Sequence, residues 1–251
     1  MSSTESIYKP HQFDFDNWHG APEEYKKMLC ILVGKQLQGE IAACELFCRT
    51  VQYLEKPEHK VELVETAHDE AVHVAAVEKL AKQIGVDLEL VLSRRRPLAM
   101  HFLGKDDEVK DWVEVCVFKH LIDRAGRIWL WTMRDSSFKP YSEVLAPILR
   151  DEARHGNEGA NEIVEFSNNG KREEVQRYVN RWFPRAMRLL GRPRSQGNQI
   201  AHKYGLKTED SDTEMRKYVK EITPALEKAN IVLPTPDNVR GLGVDILDVT
   251  W

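Results

Sequence analysis

RDEARH, residues 150–155, places a carboxylate and an imidazole three positions apart in a stretch whose apolar residues otherwise repeat with helical spacing. On a helix, Glu152 and His155 lie one turn apart along the axis and about 60° apart around it, so both point at one spot. The pair falls inside the stripe Leu145, Ile148, Glu152, His155, Gly159, Ile163 and Phe166, with Glu158 and Glu162 flanking it. A carboxylate turned toward a core is costly without a counter-charge. A metal ion supplies one and accepts both residue types.

HDEAVH, residues 68–73, repeats the motif and offers two frames. Glu65 and His68 share a charged face with Glu62, Asp69 and Lys79, which reads as solvated surface. Glu70 and His73 instead lie on the stripe Leu63, Ala67, Val74, Val77, Ala81 and Ile84. The inward frame is therefore Glu70 with His73. Two helices offering Glu and His inward need two more at the same depth to complete a two-metal site. On the first helix the stripe Leu29, Val33, Gln36, Ala43, Phe47, Val51 carries one carboxylate, Glu40, while Glu45 aligns with Gln38 and Arg49 on a wetter face. On the third, FKHLIDRAGRIWLW offers Asp123, with Lys119, His120 and Arg127 either supporting it or facing outward.

Thirty residues separate Glu40 from Glu70 and twenty-nine separate Asp123 from Glu152 (70 − 40 and 152 − 123). The order carboxylate, helical hairpin, ExxH thus occurs twice, and the stretch from His73 to Asp123 leaves room for the crossover of a ferritin-like bundle. The inferred metal ligands are Glu40, Glu70, His73, Asp123, Glu152 and His155. Four carboxylates are neutralised by two divalent ions, and oxygen-rich ligation with one imidazole per ion suits iron or manganese.

The remaining sequence agrees with an all-α, ferritin-like four-helix bundle with additional C-terminal helices. Helical periodicity predicts helices at 23–54, 58–85, 107–136, 140–168, 171–190 and 212–229, with shorter ones near 87–94 and 195–205. Lys56-Pro57, Gly85, Pro140 and Asn169-Gly170 mark the joints. Residues 1–22 read as an N-terminal extension, 23–229 as the helical domain, and 230–251 as an extended C-terminal tail. With 251 residues, 42% of them apolar, the chain can build one sizeable core. Lys plus Arg number 36 against 40 Asp plus Glu, a net charge of -4, so no broad cationic field invites nucleic acid or anionic lipid. No signal-like start and no long apolar run occurs, which predicts a cytoplasmic protein without membrane spans. Cys30, Cys44, Cys48 and Cys116 lack metal-type CxxC spacing and read as ordinary thiols.

QGEI at 38–41, HDEAVH at 68–73, LIDRAG at 121–126 and RDEARH at 150–155 together resemble the metal-binding helices of a known family, the catalytic subunit of the multicomponent phenylacetyl-CoA 1,2-epoxidase, a ferritin-like di-iron monooxygenase. RWFPRAMRLLG at 181–191 and IVLPTPD at 231–237 are also similar, so the resemblance spans roughly residues 25 to 237. It implies two iron ions held by the six residues above, with Glu40, Glu70, Asp123 and Glu152 as the catalytic carboxylates and an Asp on the third helix as a family trait. It further implies oxygen transfer to the aromatic ring of a CoA thioester. Electrons would come from NADPH through a separate iron-sulfur flavoprotein reductase. An oligomeric assembly with a related non-catalytic structural subunit is implied as well. SRRRPLAMHF at 93–102 departs from the family, and Arg94, Arg95 and Arg96 meet CoA phosphates or form a solvated turn. Two other enzyme or binding classes use the same site: a di-iron oxygenase on a non-CoA substrate, and a ferritin-like iron store or peroxide scavenger. A metal-free scaffold subunit is the fourth reading. Oxygenase chemistry needs an apolar pocket, to which Trp129, Trp131 and Trp182 are the candidate contributors.

Overall fold

The computed structural model describes residues 6–93 and 108–251. Among them no strand forms, and the β-type contact is an isolated bridge between Phe13 and Phe138. The bundle is all-α and ferritin-like. Its first hairpin is α1 (Glu23–Thr50) and α2 (Pro57–Ile84), followed by the short α3 (Leu88–Leu92). The second hairpin pairs a compound helix with α6 (Lys139–Phe166). The compound helix consists of α4 (Trp112–Phe118), a π-helical segment (Lys119–Asp123) and α5 (Arg124–Trp131). Outside this core lie α7 (Arg172–Leu189), α8 (Gln196–Lys203), α9 (Ser211–Lys228) and α10 (Pro236–Gly241). Helix α7 packs on α4 and α5, α9 on α5 and α6, and α8 on α1.

Each joint has a local cause. Pro57 sits in the first turn of α2, where a missing N–H removes no helical bond. Gly85 ends α2 in the left-handed region at φ 78°, and the Val86 N–H donates back to the Ala81 carbonyl at 2.9 Å. Gly170, at φ 88°, separates α6 from α7 at the Asn169-Gly170 joint.

Two departures from the sequence reading bear on the site. The third helix, read as one α-helical run over 107–136, loses the α pattern at Lys119–Asp123, and residue 107 lies outside the described residues. Opposite this segment is Gly159 of α6. A Cβ there would stand 2.5 Å from the Cys116 carbonyl oxygen and 2.7 Å from the His120 nitrogen, so the two backbones meet where only glycine fits. The span 230–251, read as an extended tail, contains α10 and folds onto the bundle with Val239, Val244, Ile246 and Val249 buried. Arg94, Arg95 and Arg96 lie outside the described residues. Among those described, no helix is long and apolar enough to cross a membrane.

Candidate metal centre

Four helices deliver six side chains to one point inside the bundle: Glu40 from α1, Glu70 and His73 from α2, Asp123 from the end of the π segment, and Glu152 and His155 from α6. All six are buried, the most exposed at 6%. They form two overlapping groups whose donor atoms lie within 4.8 Å of one another: Glu40, Glu70, His73 and Glu152, and Asp123, Glu152 and His155. Two donors on opposite sides of one ion are separated by about twice a bond of about 2.1 Å, so each group is nearly closed to coordination distance.

The shared members define the geometry. Glu152 belongs to both groups. Glu70 spans the histidines, with Oε2 3.7 Å from His73 Nδ1 and Oε1 3.7 Å from His155 Nδ1. Glu40 stands 3.6 Å from His73 Nδ1, and Asp123 4.0 Å from His155 Nδ1. Two carboxylates thus lie between the imidazoles and one lies at each end.

Three inward atoms, His73 Nδ1, His155 Nδ1 and Asp123 Oδ2, are buried without a hydrogen-bond partner. Buried polar atoms rarely remain unsatisfied. Three converging ones, all donors to cations, fit a metal site of the kind that takes iron or manganese.

The electrostatics agree. Burial, reinforced by the neighbouring acids, raises Glu70 to about 7 and pushes Asp123 and Glu152 well above the ordinary carboxylate range. Burial opposes a charge on His73, but Glu40 and Glu70 outweigh it and lift that imidazole to about 12 in the metal-free protein. His155 goes the other way, to about 4, through burial and the positive charges of Lys119 and Arg154. The metal-free site therefore carries protons that cations would displace.

Both histidines are held from outside by an aspartate of the opposite hairpin. His73 Nε2 lies 3.2 Å from Asp151 of α6, and His155 Nε2 lies 3.2 Å from Asp69 of α2. An aspartate accepting the Nε2–H leaves the Nδ1 lone pair facing inward. Asp69 is also paired with Arg154, whose guanidinium reaches Glu158 at 3.0 Å. Partial burial works against ionisation of Asp69, yet the His155 contact and the Arg154 charge keep its carboxyl below the usual range. The surface reading of Asp69 is thereby corrected. Its signal in the sequence was an Asp directly before the inward Glu in both motifs, at 69 and 151. Asp69→Ala is expected to weaken metal binding by about 10- to 100-fold, measured by competitive metal titration, because His155 loses its orientation.

The neighbouring basic residues split. Lys119 is buried and bridges Glu62 at 3.0 Å and Glu158 at 2.7 Å, tying the π segment to α2 and α6. His120 is buried and held neutral, burial and the Arg124 charge taking it to about 4. Arg127 pairs instead with Glu221 of α9. A cavity of about 50 Å³ adjoins the carboxylates, lined by Ala43, Ile122, Gly126, Trp129, Leu130 and Leu189 among others. Of the three tryptophans read as pocket candidates, Trp129 lines it. Trp131 is 42% exposed, and Trp182 is buried elsewhere, donating to Glu114 at 3.0 Å. Gln38, read as wet, is buried and donates to the Val91 carbonyl at 2.9 Å.

Comparison with known proteins agrees with this architecture. A family model described as phenylacetic acid catabolic protein matches residues 56–244. One of the subunits of 1,2-phenylacetyl-CoA epoxidase from Escherichia coli (strain K12) is 20% identical over 222 residues, covering 86% of this chain and 72% of that one. Among solved structures, a Synechococcus protein with aldehyde deformylating oxidase activity superposes with a TM-score of 0.66 at 18% identity, over 92% of this chain and 98% of its own. That likeness is one of fold.

Proposed function

Because the chain belongs to the phenylacetic acid catabolic protein family, we propose that it is a non-haem di-iron oxygenase that inserts one oxygen atom, by epoxidation or hydroxylation, into the aromatic ring of a CoA thioester such as phenylacetyl-CoA. The observation that carries the reading is the pair of overlapping donor groups joined at Glu152, with three unsatisfied buried donor atoms aimed into them. Glu40 and His73 would hold one iron and Asp123 and His155 the other, with Glu70 and Glu152 within reach of both histidine sides. The two ions supply oxygen activation when bound. The chain's own part is to direct both Nδ1 atoms inward, through Asp69 and Asp151, to exclude bulk water by burying all six ligands, and to present an apolar space beside Glu152.

That space is about 50 Å³, well under the roughly 150 Å³ that accommodates benzene. A small diatomic fits it. An aromatic ring enters only when lining side chains such as Trp129 and Leu189 move aside. In line with the resemblance of its metal-binding helices, electrons would come from NADPH through a separate iron-sulfur flavoprotein reductase, and a related subunit without ligands would join the chain in an oligomer.

The test is anaerobic loading with ferrous iron, reduction, addition of phenylacetyl-CoA and then ¹⁸O₂, followed by mass spectrometry. The expected product carries one ¹⁸O. Iron uptake without any oxygenated product from CoA thioesters or free aromatic acids sinks the reading and leaves iron storage or peroxide removal.

A further inference from the structure

A groove of about 770 Å³ adjoins the small cavity. Trp129 and Leu189 line both spaces. The same face of α1 runs from one to the other: Met28, Leu32 and Lys35 line the groove, and Gly39, one turn after Lys35, lines the cavity. Four residues of helix rise by about 6 Å, so Lys35 is rooted close to the metal ligands rather than at the remote rim.

Lys35 is an unusual residue for such a place. It is half-buried, and among the described residues it makes no hydrogen bond or ion pair. Burial, and the charge of Lys207 behind it, hold its pKa below the ordinary lysine value. The other charged groups facing the groove are already engaged. Arg188 donates to the Leu242 carbonyl at 2.7 Å, and Arg192 pairs with Asp245 at 2.9 Å. Asp245 is the carboxylate lining the groove. Three cations against one carboxylate leave the groove positive, within a chain whose net charge is -4.

We propose that Lys35 binds an anionic group of the substrate, so that the substrate lies in this groove with its charged part on Lys35 and its apolar end directed past Leu189 and Trp129 toward the metal cavity. The proposal rests on the oxygenase reading for what happens at the far end, and on the groove alone for the anion. An anion at Lys35 supplies the counter-charge that the half-buried ammonium lacks. A phosphate of a thioester and the carboxylate of a free acid share this chemistry.

Binding to the iron-loaded full chain, measured by calorimetry without oxygen, tests the proposal with four probes: free coenzyme A, phenylacetyl-CoA, phenylacetate, and the uncharged N-acetylcysteamine thioester of phenylacetate. Lys35→Met is expected to raise the Kd of the anionic probes that bind by at least about ten-fold, to leave the uncharged thioester within about two-fold, and to keep the wild-type iron content. Lys35→Arg should remain within a few-fold of wild type, and the exposed-surface control Lys79→Met should match it. Loss confined to the two CoA probes identifies a phosphate, and loss confined to phenylacetate a carboxylate. The proposal is overturned if no anionic probe binds the wild type, if Lys35→Met leaves every anionic Kd unchanged, or if the uncharged thioester weakens equally. Failure of the oxygenase reading shows separately, as absent iron or absent ¹⁸O product.

Discussion

Glu152→Ala is expected to lose tight binding of both iron ions, not one. Glu152 is the member common to the two donor groups, and its Oε1 lies 4.0 Å from His73 Nδ1 while its own helix carries His155 one turn on. Removing it opens both groups at once, whereas Glu40→Ala opens only the His73 side and should leave the other ion bound. Iron retained per chain after desalting reads the difference. The exposed Glu65→Ala, from the alternative frame of the same motif, should retain the wild-type content. Stability should move in the opposite direction. Burial and the charges of Glu70 and Asp123 disfavour the ionised Glu152 carboxylate, so without metal the side chain is a cost. Metal-free Glu152→Ala should therefore melt at or above the temperature of metal-free wild type, while iron raises the melting temperature only of the wild type. A variant that keeps two irons would mean that the carboxylate merely lies nearby.

What the sequence made legible was whatever an element reveals about itself. The inward frame of α2 could be chosen because Glu70 and His73 share a stripe with Leu63, Ala67 and Val77, and a stripe is a property of one helix. The same reasoning placed Glu40, Asp123, Glu152 and His155 at one depth through a repeated spacing. It failed where a side chain's partner lies on another helix. Asp69 shares a face with Glu62 and Glu65, and only the approach of α6 turns it into the support of His155. The sequence leaves Lys119 open between supporting Asp123 and facing outward, and it is buried where Glu62 and Glu158 reach it from two sides. Gln38 is dry because Val91 of α3 offers it a carbonyl. The π segment was hidden for a related reason: it lies against the backbone of Gly159 on another helix, a glycine that periodicity counts only as a small residue on a stripe. Trp131, two positions from Trp129, faces outward while Trp129 lines the cavity, a rotation that a pocket guess based on residue type ignores.

The second large effect is a loss, on metal loading, of the decline in stability with rising pH. In the metal-free protein Glu70, at about 7 against an ordinary 4.5, keeps a proton that the unfolded chain has released, and Asp123 and Glu152 do so more strongly. Where the folded state binds more protons than the unfolded one, stability falls as pH rises, so these three groups favour the fold at low pH and lose that contribution upward from about 4.5. His155, held near 4 against an ordinary 6.5, acts oppositely, but only between those two values. Above 6.5 that opposition has ended. His73, still protonated toward about 12, then adds its own decline, because its stabilising charge is fully present below 6.5 and is lost as pH climbs through the folded value. The metal-free protein should therefore lose thermal stability with rising pH, more steeply above about 6.5 than below. Iron displaces these same protons, so its binding tightens over that range. The melting-temperature gap between loaded and metal-free protein should widen from about pH 6 to about pH 8 by roughly 5 °C or more. Parallel thermal scans with and without a chelator measure it directly. A metal-free protein that grows more stable between those pH values would show that the buried acids are already ionised in the fold, and the charge argument for a cation pair at Glu152 would lose its basis.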